Sequence, residues 1–304
     1  LVAGPIERAT NLLPQFYYLK KPNYILFSKG IKLIIYGFFM KLVVADRASI
    51  YVDAVFNNVY NHSGLTFMLA TIFFTFQIYC DFAGYSLIAI GTSKLFGFNL
   101  MTNFRRPYFS VSVGDFWKRW HISLSSWFRD YLYIPLGGNR VSYKRWLINI
   151  FITFVVSGLW HGAAWTFIIW GALNSFYLIV EVLINKKSKR TIYNIFITFC
   201  LISFSWIFFR ANSVNEAFFI VKNIVTNPGF LWIPSDNDIT APIYTLIGIS
   251  IILFYEIKKE FFPMYYTFEN NKSTLVRWTY FSAIIFLIFY MGVFDGGQFI
   301  YFQF

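Results

Sequence analysis

Charge is scarce in this sequence. Only 13% of its 304 residues are Asp, Glu, Lys or Arg, whereas 57% are hydrophobic. A water-soluble fold of this length needs a polar outer surface, and so little charge excludes one. From Trp146 to Asn185 the sole formally charged side chain is Glu181, so the whole run has no water-facing side. Cysteine is nearly absent: Cys80 and Cys200 both fall in apolar stretches, where each reads as a small buried hydrophobe, and neither a disulfide nor a metal site is expected. Histidine is limited to His62, His121 and His161. Internal repeats, low-complexity tracts and linkers rich in Pro, Gly and Ser are missing, so one membrane domain over residues 1–304 is the simplest division. Pro135-Leu-Gly-Gly-Asn-Arg140 reads as a turn; it lacks the spacing of a phosphate loop, which removes nucleotide binding from consideration. No signal peptide is visible, and Leu1 in place of Met is not expected to be a natural start.

What the chain has instead is apolar and aromatic bulk. Its 39 Phe, 21 Tyr and 10 Trp suit a lipid-facing surface with Tyr and Trp at headgroup level. The formal charge of +12 comes from basic residues placed between apolar segments, the pattern of loops facing anionic lipid rather than of a groove for nucleic acid. Apolar windows predict spans at about 24–44, 65–93, 146–160, 163–184, 191–209, 241–255 and 275–293. Backbone groups in lipid must be satisfied within the segment, and without the alternation of a barrel these spans are helices. The second window is long for one span and carries Asp81, Gly84 and Gly91; it is expected to break into a spanning helix and a re-entrant or tilted piece. The fold class expected is therefore all-α, a polytopic transmembrane helical bundle with re-entrant or interfacial helices.

Lys and Arg set the orientation. Nine lie in 94–145, four in 185–190 and four in 256–277, against none in 160–165 and two in 210–240. This alternation puts 94–145 in the cytoplasm and turns Trp160–Trp165 toward the far side.

Among ionisable groups, His161 stands out because Ser157-Gly-Leu-Trp-His-Gly-Ala-Ala-Trp165 sets an imidazole at the tip of an apolar helical pair. Small residues around it permit close backbone approach and leave room for a substrate chain. A desolvated, neutral ring there can accept a proton from a hydroxyl, although an interfacial histidine bonded to a carbonyl fits the same residues. His121 lies within Asp115–Asp130, where Trp117, Trp120, Leu124, Trp127 and Phe128 recur at three- and four-residue spacing; this predicts an amphipathic helix at the cytoplasmic interface and does not by itself reveal an active site. Gln77 and Asp81 share a helix face, and Asp81 is a second intramembrane ionisable group that can orient a partner or pair with an arginine. His62, in Asn-His-Ser-Gly, reads as a solvated turn residue.

Two long blocks, Phe116-Trp-Lys-Arg-Trp-His-Ile-Ser-Leu-Ser-Ser-Trp-Phe-Arg-Asp-Tyr-Leu-Tyr-Ile-Pro-Leu-Gly-Gly-Asn-Arg140 and Ser157–Trp165, resemble the membrane-bound O-acyltransferase superfamily, specifically its bacterial branch typified by the alginate O-acetylation membrane protein. Ala-Gly-Pro-Ile (3–6), Tyr-Cys-Asp-Phe-Ala-Gly-Tyr-Ser (79–86), Asn-Phe-Arg-Arg-Pro-Tyr (103–108) and Phe-Ile-Tyr-Phe-Gln-Phe (299–304) extend the likeness over nearly the whole chain. The resemblance implies that His161 is the family's near-invariant histidine and His121 the second. It implies a bundle around a tunnel, with a donor entering from the cytoplasm; because the two histidines lie in segments approached from different sides, that tunnel is expected to run between them. It also implies a membrane enzyme of the cell envelope, with helices preceding residue 1. Asp81, Trp160, Ser157 and Asn139 are candidate supporting residues. Leu87 stands where relatives often have Asp, which weakens any role for that position.

Ile-Pro-Leu-Gly-Gly-Asn-Arg favours the polysaccharide-acetylating branch over D-alanyl transfer to teichoic acid. The co-substrate expected is acetyl-CoA or an acyl carrier, with no tightly bound cofactor. Membrane lipid, a polysaccharide acceptor and an extracytoplasmic hydrolase-like protein are the expected partners, and nucleic acid is not one. A transporter or flippase is the competing reading from another class; it should show pseudo-symmetric halves, and the sequence has none. A catalytically dead scaffold is the third.

Overall fold

A computed structural model of the chain describes residues 4–184, 189–234, 239–262, 271–295 and 299. Parts of the basic connections at 185–190 and 256–277, Ala3 of the first block and most of the terminal block lie outside the described residues. Within them the chain is helical and without strands.

The helices are α1 (Ala9–Leu12), α2 (Tyr24–Phe38), α3 (Asp46–Phe56), α4 (Gly64–Leu95), α5 (Val113–Arg119), α6 (Ile122–Phe128), α7 (Tyr143–His161), α8 (Trp165–Leu183), α9 (Ile192–Arg210), α10 (Val214–Thr226), α11 (Thr240–Phe261) and α12 (Thr274–Met291). Each expected apolar window falls on a helix. Among the described residues, α4, α8, α9, α11 and α12 are long and apolar enough to cross a membrane. The window at 24–44 is α2 continued through a π-helical stretch, Phe39–Ala45, and 146–160 is α7, whose apolar run is diluted by Lys144, Arg145, Asn149 and His161.

The chain divides into two compact units. Among the described residues, the first comprises those within 4–51, 76–103 and 234–299, the second those within 52–75 and 104–233. α3 and α4 run from one into the other.

In the first unit α2 and the second half of α4 meet along a glycine seam. A Cβ on Gly37 would lie 2.7 Å from the Gly84 carbonyl oxygen, and one on Gly30 would lie 2.7 Å from that of Gly91. Each pair is reciprocal, and both glycines on each helix are seven residues apart, so the two backbones pack in register with nothing larger than hydrogen between them. This corrects the expected break in the second window. α4 is one continuous helix of 32 residues, about 48 Å long, because its glycines are used for close packing rather than for a bend. Asp81 does not break it either: Lys41 Nζ lies 2.6 Å from Asp81 and 2.7 Å from Asp46, so the buried carboxylates share one ammonium. A lysine, Lys41, is thus a pairing partner of Asp81. Tyr79 donates to the buried Glu256 of α11, and Arg47 Nε donates to the Met291 carbonyl at the end of α12.

In the second unit α7 and α8 form an antiparallel hairpin whose closeness again comes from glycine. A Cβ on Gly158 would be 2.3 Å from the Phe167 carbonyl oxygen, and one on Gly171 would be 2.3 Å from that of Phe154. α9 packs on α8, and α10 is an amphipathic helix capped by Ser213, whose hydroxyl accepts from the Glu216 amide at 3.2 Å. Cys80 is buried in α4, but Cys200, read from sequence as buried, lies on the outward face of α9; both are free thiols. His62, expected to be solvated, is half-buried against Trp232, ring centroids 5.0 Å apart.

Candidate active site

The second unit brings His121 and His161 into one aromatic shell. His161 is the last residue of α7 and is buried, with Trp170 of α8 and Phe209 of α9 each at 5.3 Å between ring centroids and Phe167 at 6.5 Å. Trp170 stacks on Trp206 at 5.6 Å, Trp206 meets Trp120 at 5.2 Å, Trp120 meets Phe104 at 5.1 Å, and Phe104 stacks on His121 at 6.3 Å. One run of touching rings thus leads from one imidazole to the other. His121 is also buried, with its Nδ1 3.4 Å from the Ser123 hydroxyl. Burial and the neighbouring His161 both push the His121 imidazole well below its ordinary pKa, so the ring is neutral.

The amphipathic helix expected over 115–130 is not continuous, and the interruption is at His121. α5 ends at Arg119, Trp120 is extended, and His121 adopts a left-handed conformation at φ 41° and ψ 54° before α6 begins. A helical continuation would need the Arg119 carbonyl for residue 123, but that carbonyl accepts from the Arg105 amide at 2.9 Å. The break lets Phe116 on α5 and Trp120 just after it turn inward, while Leu124 and Phe128 do so on α6. A non-glycine residue in this region costs about 1–2 kcal/mol, strain that persists where surrounding contacts over-determine it and that clusters at functional sites.

Glu181, the lone charge in the apolar run, holds this arrangement. It sits near the far end of α8 and accepts from the amides of Val113 at 2.6 Å and Gly114 at 3.0 Å, closing the first turn of α5. Ser112 caps the same turn through the Asp115 amide at 3.1 Å, and Asp115 pairs with Arg119 at 2.9 Å. From there α5 lays Trp117 against Phe154 of α7, 5.1 Å, and Trp170 of α8, 5.8 Å, and delivers His121 to the end of the hairpin that carries His161. Sequence reasoning noticed Glu181 only as an exception to apolarity. A carboxylate in such a run was the available signal.

The other candidates are distributed differently. Trp160 is exposed and packs on Trp127 at 5.7 Å and Phe128 at 6.1 Å, beside His161 in sequence. Ser157 is half-buried one turn before His161. Asn139 is exposed in the predicted turn, where Gly137 and Gly138 take positive φ. That turn is anchored by Asn149, which donates to the Leu136 and Gly138 carbonyls at 3.1 and 3.0 Å, about 18 Å along α7 from His161. Asp81 belongs to the first unit, within its Lys41 cluster. No group of three or more His, Cys, Asp or Glu suited to a metal ion occurs among the described residues.

Besides the indole N–H of the half-buried Trp117, which packs on Trp170, four polar atoms around the shell have no hydrogen-bond partner among the described residues: the indole N–H groups of Trp170 and Trp206, Asn174 Oδ1 and Ser203 Oγ. All four residues are buried. An unsatisfied buried group of this kind costs about 1–3 kcal/mol.

The sequence model of the membrane-bound O-acyltransferase family matches residues 1–215. The chain is 32% identical to the peptidoglycan O-acetyltransferase of Helicobacter pylori, an alignment covering all of this chain and 62% of that protein. It is 40% identical to the probable alginate O-acetylase AlgI of Pseudomonas aeruginosa over 71% of this chain and 42% of the relative. It is 29% identical to the teichoic acid D-alanyltransferase of Bacillus subtilis over 70% and 59% of the respective chains. The chain thus spans less than two thirds of the length of these relatives. With five helices among its described residues long and apolar enough to cross a membrane, and this match over most of its length, the chain is a multi-pass membrane protein that belongs to the membrane-bound O-acyltransferase family.

Proposed function

We propose that this chain carries the transfer centre of an O-acyltransferase in the cell membrane, moving acetyl or another short acyl group from a cytoplasmic donor toward an extracytoplasmic polysaccharide hydroxyl. The observation that supports this reading most is the pair of buried imidazoles, His121 and His161, in one aromatic shell. A hydroxyl is a poor nucleophile until a base takes its proton during attack. His161 is that base: as the hydroxyl oxygen bonds to the acyl carbon, its proton moves to the imidazole, and collapse of the tetrahedral intermediate expels a thiolate that recovers the proton. A thioester and an alcohol become an ester and a thiol, with no other reactant. His121, neutral and set by its strained backbone, orients the reacting hydroxyl or the donor.

The donor is acetyl-CoA or an acyl carrier thioester, and an extracytoplasmic hydrolase-like protein completes delivery. The polysaccharide reading is preferred to D-alanyl transfer because the relatives named for O-acetylation are 40% and 32% identical, against 29% for the D-alanyltransferase.

The test is a reconstitution. The protein goes into vesicles with labelled acetyl thioester on the side of loop 94–145. Thioester-dependent, base-labile label on a polysaccharide hydroxyl is expected. Thioester left unconsumed in the presence of acceptor and envelope extract would sink the reading.

A further inference from the structure

The four unpartnered polar atoms lie in a strip. Trp170 and Asn174 are one turn apart on α8, and Ser203 and Trp206 one turn apart on α9, so each pair shares a helix face. The faces meet where Trp170 stacks on Trp206 at 5.6 Å. The strip begins beside His161, whose ring is 5.3 Å from that of Trp170, and Asn174 and Ser203 lie one turn farther from it. Trp170, Asn174, Ser203 and Trp206 are at most 7% exposed, and Asn174 already spends one amide N–H on the Trp170 carbonyl at 2.9 Å. Four such atoms in one strip beside His161 leave hydrogen-bonding capacity that an entering ligand can take up.

Their order specifies it. Nearest His161 is the Trp170 indole with Trp206 stacked on it, so along the strip two N–H donors precede the amide oxygen, an order that suits a carbonyl oxygen that becomes negative during attack. One helical turn away, about 6 Å, comes an amide oxygen that needs a donor. A thioester whose thiol arm carries an amide presents those groups in that order: acyl carbonyl, sulfur, two methylenes, amide N–H.

We infer that the α8–α9 strip is the donor subsite, in which the Trp170 and Trp206 N–H groups hold the acyl carbonyl oxygen and Asn174 Oδ1 accepts from the first amide of the thiol arm. This rests on the acyl-transfer reading and deepens it. The electron pair that leaves the carbonyl π bond on attack resides on the oxygen held by the indoles and returns when the C–S bond breaks; the indole protons are not transferred.

The test replaces single atoms. Trp170 and Trp206 are each exchanged for benzothienylalanine, which puts sulfur in place of N–H and keeps ring shape, in the intact protein in nanodiscs. The donors are S-acetyl-N-acetylcysteamine, which has the amide, and S-ethyl thioacetate, which lacks it. The expected result is a fall in kcat of about 10²–10³-fold on both donors, with KM within about twofold and unchanged thermal stability. Asn174→Leu should instead abolish the preference of the unmodified protein for the amide-bearing donor. Full kcat in both benzothienylalanine variants, or a donor preference that survives Asn174→Leu, overturns the subsite. The two levels separate cleanly: if the unmodified protein transfers nothing, the acyl-transfer reading fails, whereas transfer that is indifferent to these substitutions removes the subsite alone.

Discussion

Removing the carboxylate of Glu181 should loosen the active centre without touching it. The side chain accepts from two backbone amides of α5, at 2.6 and 3.0 Å, and it is half-buried. Hydrogen bonds to a charged acceptor contribute about 1.5–3 kcal/mol each. Partial exposure of the site lets water replace some of this, so Glu181→Ala should cost about 2–3 kcal/mol, and Glu181→Gln, which keeps one acceptor oxygen, about 1 kcal/mol. Because α5 carries the chain to His121, the loss should appear as function as well as stability. Thermal unfolding of the detergent-solubilised protein and turnover at matched membrane abundance should fall together, in the order unmodified, Gln, Ala. An Ala variant with unchanged unfolding and unchanged turnover would refute the idea that this carboxylate positions the histidine segment.

Three further outcomes follow from the same structure. Gly84→Leu should prevent close packing of α2 on α4, since even a Cβ there meets the Gly37 carbonyl oxygen at 2.7 Å; membrane abundance should drop sharply, while Leu at the outward-facing Ile72 should be tolerated. For pH, the folded pKa of His121 lies below its ordinary value near 6.5, so the unfolded chain binds more protons in the window between the two, and stability falls as pH is lowered through that window. Unfolding temperature should therefore hold steady above about pH 6.5 and decline below it, and His121→Asn should flatten that decline; an unaltered acid limb in His121→Asn would count against it. For topology, Ser142→Cys should resist membrane-impermeant thiol reagents in intact cells and react after permeabilisation, and ready labelling from outside would reverse the assigned orientation.

The long helices were legible because lipid leaves few ways to satisfy a backbone, and apolar length alone then marks each span. Events that depend on a partner far away in sequence were not. α4 looked breakable at Gly84 and Gly91 because their purpose is set by Gly37 and Gly30, more than forty residues earlier. The spacing of Trp117, Trp120, Leu124 and Phe128 is helical in both halves, but the interruption between them is imposed by the Arg105 amide taking the Arg119 carbonyl, which no periodicity records. His161 could be singled out as an ionisable group in an apolar setting, while His121 drew its significance only from the resemblance. The aromatic run joining them, through Trp170 and Trp206, combines helices that only tertiary packing brings together.

The central claim is that His161 acts as the base, and one substitution tests it most directly. His161→Gln preserves approximate size and a hydrogen bond but not basicity, and loss of a general base typically lowers rate by about 10²–10⁴-fold. Acyl transfer from a labelled thioester should be measured for His161→Gln and for the unmodified protein in vesicles with equal amounts of inserted protein. The account predicts transfer reduced by at least about 10²-fold with insertion intact. Near-full transfer by His161→Gln at equal abundance would contradict it, and would move the base to His121.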